Sequence, residues 1–155
     1  MNADKNEIRI KKATAVEIAG HLRRCNANFE PPLASRVDID QYSCKLADKA
    51  VTFESYEDGT LIGLVAAYIN DESHNEAFIT NVSVISGYEG TGLAKELMLL
   101  CIHYAEERHY GRIALEVAEK NKRAIRFYQK LGFKSLSVDN GQVKMILSLD
   151  DSGNK

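Results

Sequence analysis

Proline is scarce in this chain, 2 in 155 residues, and that scarcity excludes collagenous chains and proline-rich linkers. Neither sign of charge is in excess. With 20 Lys and Arg against 22 Asp and Glu, the formal charge of −2 supplies no general field to hold a polyanion or an anionic membrane. Nucleic acid and membrane are therefore not expected as partners, and an anionic ligand needs a local site. No apolar run approaches the roughly 18 residues that span a bilayer. The opening MNADKNEIRIKKA has no apolar stretch of the secretory kind, so a cytoplasmic location is the expectation. Cys25, Cys44 and Cys101 are odd in number, far apart and without a C-x-x-C pair, and they read as reduced, mostly buried thiols. His21, His74, His103 and His109 fall in different segments without metal-ligand spacing, so no metal is expected. Asn81-Val82-Ser83 matches the glycosylation sequon but lies in a strand-like run of a chain with no export signal.

What is present is a globular composition, 45% hydrophobic and 27% charged. A chain of this size buries about two-thirds of its unfolded surface in one core. The expectation is one domain over residues 1–149 with a flexible polar tail over 150–155. Glu7 to Lys11 alternates like an edge strand, and Thr14 three residues before Glu17 opens a helix running toward Arg24. A loop around Pro31-Pro32 precedes a second helix from Asp38 to Leu46. Val51 to Tyr56 and Thr60 to Tyr68 flank Asp58-Gly59 as a β-hairpin. Ala77 to Val84 is a further strand. From Gly92 an amphipathic helix of about five turns buries Leu93, Leu97, Leu100, Cys101 and Tyr104. Arg112 to Val117 is a strand, Asn121 to Leu131 a helix stopped by Gly132, and Val143 to Leu149 a last strand. Strand, helix and strand between Ala77 and Val117 make a parallel crossover joined to an antiparallel hairpin sheet, so the fold class is α+β, or mixed α/β.

The segment Ser86 to Lys95 joins a strand directly to the long helix. Glycines at 87, 90 and 92 allow sharp turns and let several N–H groups converge on one ligand at the positive end of the helix. That arrangement suits a phosphate or pyrophosphate, and it equally suits a tight connection whose glycines serve only the turn. A P-loop is excluded because no G-K-[ST] closes the segment. A dinucleotide-binding unit has Gly90-x-Gly92 after a strand and Glu116 at the end of the next. It has Lys95 at the third glycine position, however, and only one crossover.

These residues resemble the GCN5-related N-acetyltransferase superfamily, whose acetyl-CoA signature R/Q-x-x-G-x-G/A reads here Glu89-Gly90-Thr91-Gly92-Leu93-Ala94 after the strand Val82-Ser83-Val84. Its second block, N-x-x-A-I-x-x-Y-x-x-x-G-F, reads from Asn121 through Ala124, Ile125, Tyr128 and Gly132 to Phe133. The resemblance is close from Ile62 to Phe133. It implies one domain with a central mixed, mostly antiparallel sheet of six to seven strands and about four helices. It further implies a cytoplasmic N-acetyltransferase, monomeric or homodimeric, that uses acetyl-CoA as cosubstrate, no metal, and a primary amine of a small molecule or protein as acceptor.

Residue by residue, the resemblance assigns the segment Glu89, Gly90, Thr91, Gly92, Leu93, Ala94 and Lys95 to the pyrophosphate. Val82 and Val84 fall to the pantetheine arm, with the Val84 N–H on the thioester oxygen. Asn121 falls to the same arm and also suits a helix N-cap. Tyr128 corresponds to the tyrosine that gives a proton to the coenzyme A sulfur, the alternative being a packed core aromatic. Glu116, in an L-E-V context like that of the bacterial ribosomal-protein N-terminal acetyltransferases, corresponds to a general base working through a water; a solvated carboxylate at a strand end is the alternative. Glu89 departs from the signature, which normally has Arg or Gln, and sets a negative charge beside the expected pyrophosphate. A non-catalytic acyl-CoA-binding or sensing domain with a degenerate site is the alternative function that follows. Lys122, Arg123 and Lys130 read as solvated helix charges. Around the acceptor, Glu30 and Asp38 suit an ammonium group and Arg36 suits a carboxylate or phosphate, or all three are surface charges.

Overall fold

The computed structural model describes residues 6–29, 31–70, 73 and 75–149. The tail over 150–155, Glu30 and His74 lie outside the described residues.

Strand β1 (Asn6–Ile10) leads into helix α1 (Ala15–Cys25), whose start is fixed by a reciprocal cap. Thr14 Oγ1 accepts from the Glu17 N–H at 3.1 Å, and Glu17 Oε1 accepts from the Thr14 N–H at 2.9 Å. Two short 3₁₀ turns, Asn26–Asn28 and Leu33–Ser35, bracket the prolines. Asp38 then caps helix α2 (Ile39–Lys49) by accepting from the Gln41 N–H at 3.0 Å. Strands β2 (Val51–Glu57) and β3 (Thr60–Tyr68) meet at Asp58 and Gly59, both left-handed at φ 51° and 80°. The Asp-Gly pair supplies the turn that matches the twist of the hairpin. Strand β4 (Glu76–Val84), helix α3 (Leu93–Glu107) and strand β5 (Arg112–Ala118) form the crossover, and helix α4 (Lys122–Lys130) follows. At 15 residues α3 is nearer four turns than five, because the chain leaves the helix at Arg108 and turns at His109, whose φ is 63°.

Strands β6 (Lys134–Asp139) and β7 (Gln142–Ser148) close the fold as a second hairpin. They complete a seven-stranded sheet ordered β1-β2-β3-β4-β5-β7-β6, in which only β4 and β5 run parallel. The sheet is thus mixed and mostly antiparallel, with four α-helices. Helices α1 and α2 cover one face over Tyr56, Leu61, Leu64 and Ala66, while α3 and α4 cover the other over Phe53, Val65, Ile113, Leu115 and Met145. Alternate residues of β3 serve the two cores in turn, as a central strand requires. Gly63 faces α3, and a Cβ there would stand 3.0 Å from Leu93 Cδ2 and 3.2 Å from Leu97 Cδ1, so glycine is what lets α3 lie this close to β3.

On the α1 side, the fully buried Glu54 ties the link between β1 and α1 to the sheet. Its Oε2 accepts from the N–H groups of Lys12 (3.0 Å) and Ala13 (2.9 Å) and from the Thr52 hydroxyl (2.6 Å).

Two irregularities position the site. Strands β4 and β5 pair over only four residues, from Glu76 with Arg112 to Ile79 with Leu115, and beyond that the strands part. Where the pairing stops, Thr80 is an extra residue against β3, since Ala67 pairs Ile79 and Ala66 pairs Asn81. Such a bulge bends the strand that carries it. One edge of β4 beyond Thr80 therefore borders a gap, and β5 beyond Leu115 is paired only with β7.

Candidate active site

A strand edge without a neighbour turns the N–H and C=O of every second residue outward. In the gap those groups belong to the last residues of β4, where Val82 and Val84 are half-buried. The strand runs on into the glycine segment. There the Tyr88 N–H donates to Ile85 O (3.1 Å), the Thr91 N–H donates to Tyr88 O (3.4 Å), and the Thr91 hydroxyl donates to the same carbonyl (2.6 Å). Two successive turns bring Gly92 to the start of α3 with φ 87°, and it offers no side-chain cap. The first-turn N–H groups of Leu93, Ala94 and Lys95 consequently have no partner among the described residues, and neither does that of Gly90. A cluster of open donors at the positive end of a 15-residue helix has the chemistry to receive an anionic group.

Glu89 is exposed and folds back on its own loop: Oε1 accepts from the Gly87 N–H at 2.9 Å. Its charge also reaches beneath the loop. Burial pushes the Cys25 thiol up to about 11, and the nearby Glu89 carboxylate adds to that rise.

Asn121 caps α4, its Oδ1 accepting from the Ala124 N–H at 3.2 Å. Two helical turns beyond Asn121, Tyr128 packs edge-on against Phe127 (5.3 Å between ring centres) and Phe133 (6.0 Å). Its hydroxyl has no hydrogen-bond partner among the described residues, yet it is not one of the two occluded orphan hydroxyls, which belong to Ser43 and Ser55. Burial pushes the phenol up to about 12, so it holds its proton throughout the neutral range. This is a weaker acid than the ordinary phenol, which suits a hydrogen bond to a developing thiolate better than an early full transfer. Glu116 is exposed on the opposite face of β5, because its neighbours Leu115 and Val117 both point into the core beneath α3 and α4. Tyr128 and Glu116 thus flank β5 from its two sides without touching. Lys122, Arg123 and Lys130 are exposed on α4.

Sequence reasoning missed a buried polar seam on the other side of β4. His21 Nε2 lies 2.9 Å from Ser83 Oγ and 3.7 Å from Cys25 Sγ, and Nδ1 lies 3.2 Å from the Leu61 carbonyl, which it serves as donor. Ser83 Oγ also lies 2.8 Å from Asn81 Oδ1. Further along β4, the Tyr42 hydroxyl donates to Thr80 O (3.0 Å) and meets Thr80 Oγ1 (2.8 Å). This seam fastens the bulged end of β4 to α1 and α2. One sequence signal pointed toward it: His21 shares the helical spacing of Ile18, Leu22 and Cys25, all of them buried.

The chain matches the acetyltransferase (GNAT) family over residues 16–133. It is 35% identical over 101 residues to N-acetylaspartate synthetase of Xenopus tropicalis, a match that covers 65% of this chain and 36% of that one. The chain spans about a third of the length of the curated relatives it matches first. Among solved structures it resembles the ribosomal-protein-S18-alanine N-acetyltransferase of Escherichia coli, with a TM-score of 0.75, 20% identity, and coverage of 96% of this chain and 97% of that one. It also resembles the PaiA N-acetyltransferase of Thermoplasma acidophilum, determined in complex with coenzyme A, with a TM-score of 0.73, 18% identity, and coverage of 92% and 99%. At these identities the structural likeness concerns the fold.

Proposed function

The chain belongs to the acetyltransferase (GNAT) family, and from that premise we propose that it transfers the acetyl group of acetyl-CoA directly to a primary amine. The observation that carries this reading is the continuity of the gap beyond Ile79 with the open donors of Gly90 and Leu93 to Lys95, both reached along one strand. An extended thioester arm fits the unpaired edge and its diphosphate fits the helix start. When bound, acetyl-CoA supplies an activated acyl group with a thiolate as leaving group.

The chain's own residues then divide the work. The N–H groups from Gly90 to Lys95 hold the diphosphate without needing any side-chain cation. Val82 and Val84 pair with the amide-bearing arm as a neighbouring strand would, and Asn121 offers its amide to the same arm. The Val84 N–H holds the thioester oxygen as negative charge develops on it. Glu116 takes the proton of the incoming ammonium through a water, and Tyr128 donates a hydrogen bond, then a proton, to the departing sulfur.

Thermal unfolding with and without acetyl-CoA, with NAD as control, tests the reading. At about a hundred times the dissociation constant, binding adds about 2.7 kcal/mol, a rise of about 5–10 °C in a chain of this size. NAD alone raising Tm would overturn the assignment. A rise with acetyl-CoA but no thiol release across an amine panel favours a second reading, a non-catalytic acyl-CoA-binding or sensing domain, which the position of Glu89 supports.

Glu89→Gln separates these roles. The amide still accepts from the Gly87 N–H but no longer repels a diphosphate, so acetyl-CoA is expected to bind about fivefold to tenfold more tightly by calorimetry. An unchanged dissociation constant means that the carboxylate is too far from the diphosphate to matter.

A further inference from the structure

Glu116 stands directly opposite Lys144 in the register of β5 with β7, so both side chains rise from the same face of the sheet. Directly opposed residues have Cβ atoms roughly 5 Å apart. Lys144 has only a loose ionic contact, 3.7 Å from its Nζ to Glu76 Oε2, and that carboxylate is already neutralised. Arg112 places both Nε (2.9 Å) and a terminal nitrogen (2.8 Å) on Glu76 Oε1. Lys144 is thus a surplus cation beside Glu116.

A second surplus cation lies near the Tyr42 hydroxyl. Arg36 is exposed just after the turn Leu33–Ser35 and has no acidic partner among the described residues. Its charge acts on the Tyr42 hydroxyl, which is bonded to Thr80 at the point where β4 and β5 part. With Arg112 and Glu76 cancelling, what is left is the Glu116 carboxylate opposite Lys144, which keeps only its loose contact with Glu76, and the exposed Arg36 near Tyr42.

We infer that the acceptor is a primary amine that itself carries a carboxylate, its ammonium directed to Glu116 and its carboxylate to Lys144 and Arg36. The inference rests on the transferase reading above and adds the chemical class of the acceptor. A polyamine or other purely cationic acceptor meets Lys144 as a repulsive neighbour. A protein N-terminus that begins with an uncharged residue has no carboxylate near its amine and leaves both cations unused. Charge-assisted hydrogen bonds from Arg or Lys to a carboxylate are strong enough to discriminate by tenfold or more.

The test measures thiol release from acetyl-CoA with alanine, leucine and phenylalanine, with their carboxamides, with the matching amines that lack the carboxyl group, and with peptides beginning in the same residues. The amino acids are expected to exceed the other three groups in kcat/KM by about tenfold or more. Lys144→Met and Arg36→Met should each shrink that ratio several-fold, whereas Lys144→Arg should retain it, and this rescue separates carboxylate recognition from a general role in packing. Carboxamides or peptides that match the amino acids, or a ratio unmoved in both Met variants, overturn the inference and leave the transferase reading standing. Acetyl-CoA binding without thiol release for any acceptor overturns both.

Discussion

Replacing Tyr128 by phenylalanine is expected to lower kcat by about a hundredfold or more while leaving acetyl-CoA affinity within about twofold. The substitution removes one hydroxyl and keeps the ring that packs on Phe127 and Phe133, so the fold of α4 is preserved. The lost group is the one proposed above to donate to the departing sulfur. Because burial holds this phenol up to about 12, it stays protonated well past neutrality, and any alkaline fall in kcat below about pH 10 belongs to another group. Steady-state rates by thiol release, paired with calorimetric titration of acetyl-CoA, check both halves. Wild-type turnover in the variant would remove Tyr128 from the mechanism, and a parallel loss of affinity would make it a packing residue.

The second large effect concerns stability. His21 is 1% exposed, and burial lowers its imidazole from the ordinary 6.5 to about 4, against the opposing pull of its bonds to Leu61 and Ser83. Above the unfolded value both states are neutral and the group contributes nothing to the pH dependence. As pH falls from 6.5 toward 4, the unfolded chain takes up a proton that the native chain refuses, so stability falls across that window. The displacement corresponds to about 3 kcal/mol, an order-of-magnitude figure. Urea unfolding at steps between pH 7 and 4, set against the same series for His21→Gln, isolates this group from the acidic residues. The wild type should lose about 3 kcal/mol more than the variant across the window. Parallel curves would show that His21 takes up its proton in the folded protein as readily as in the unfolded chain.

Most of the fold is legible in local chemistry. The cap at Thr14 and Glu17, the Asp58-Gly59 turn and the apolar stripe of α3 each announce themselves within a few residues. Strand β6 does not, because all six of its residues are exposed at the edge of the sheet and no buried face imprints alternation on Lys134 to Asp139. Its hairpin turn at Asn140-Gly141, with φ 54° and 77°, is the signal that could have revealed it. The candidate site divides in the same way. The glycine segment and the Asn121 cap are local motifs, and the exposure of Glu116 follows from the alternation of Leu115 and Val117. The pairing of His21 with Ser83 joins residues 62 apart in sequence, and the anchoring of Lys12 and Ala13 by Glu54 spans 42 and 41. Nothing near those residues in the chain foretells such contacts. Only the folded sheet brings together Lys144 and Glu116.

The four-residue pairing of β4 with β5 divides the sheet into a four-stranded and a three-stranded half. Such a junction is where sub-global opening takes place most readily, since few ladder bonds cross it. Amide hydrogens from Thr80 to Val84 that face the gap should therefore exchange with solvent faster than those on the β3 side of the same strand. A bound arm that occupies the gap acts as an eighth strand, and the slowing of exchange should then spread from β4 into β5, making the two halves open as one cooperative unit.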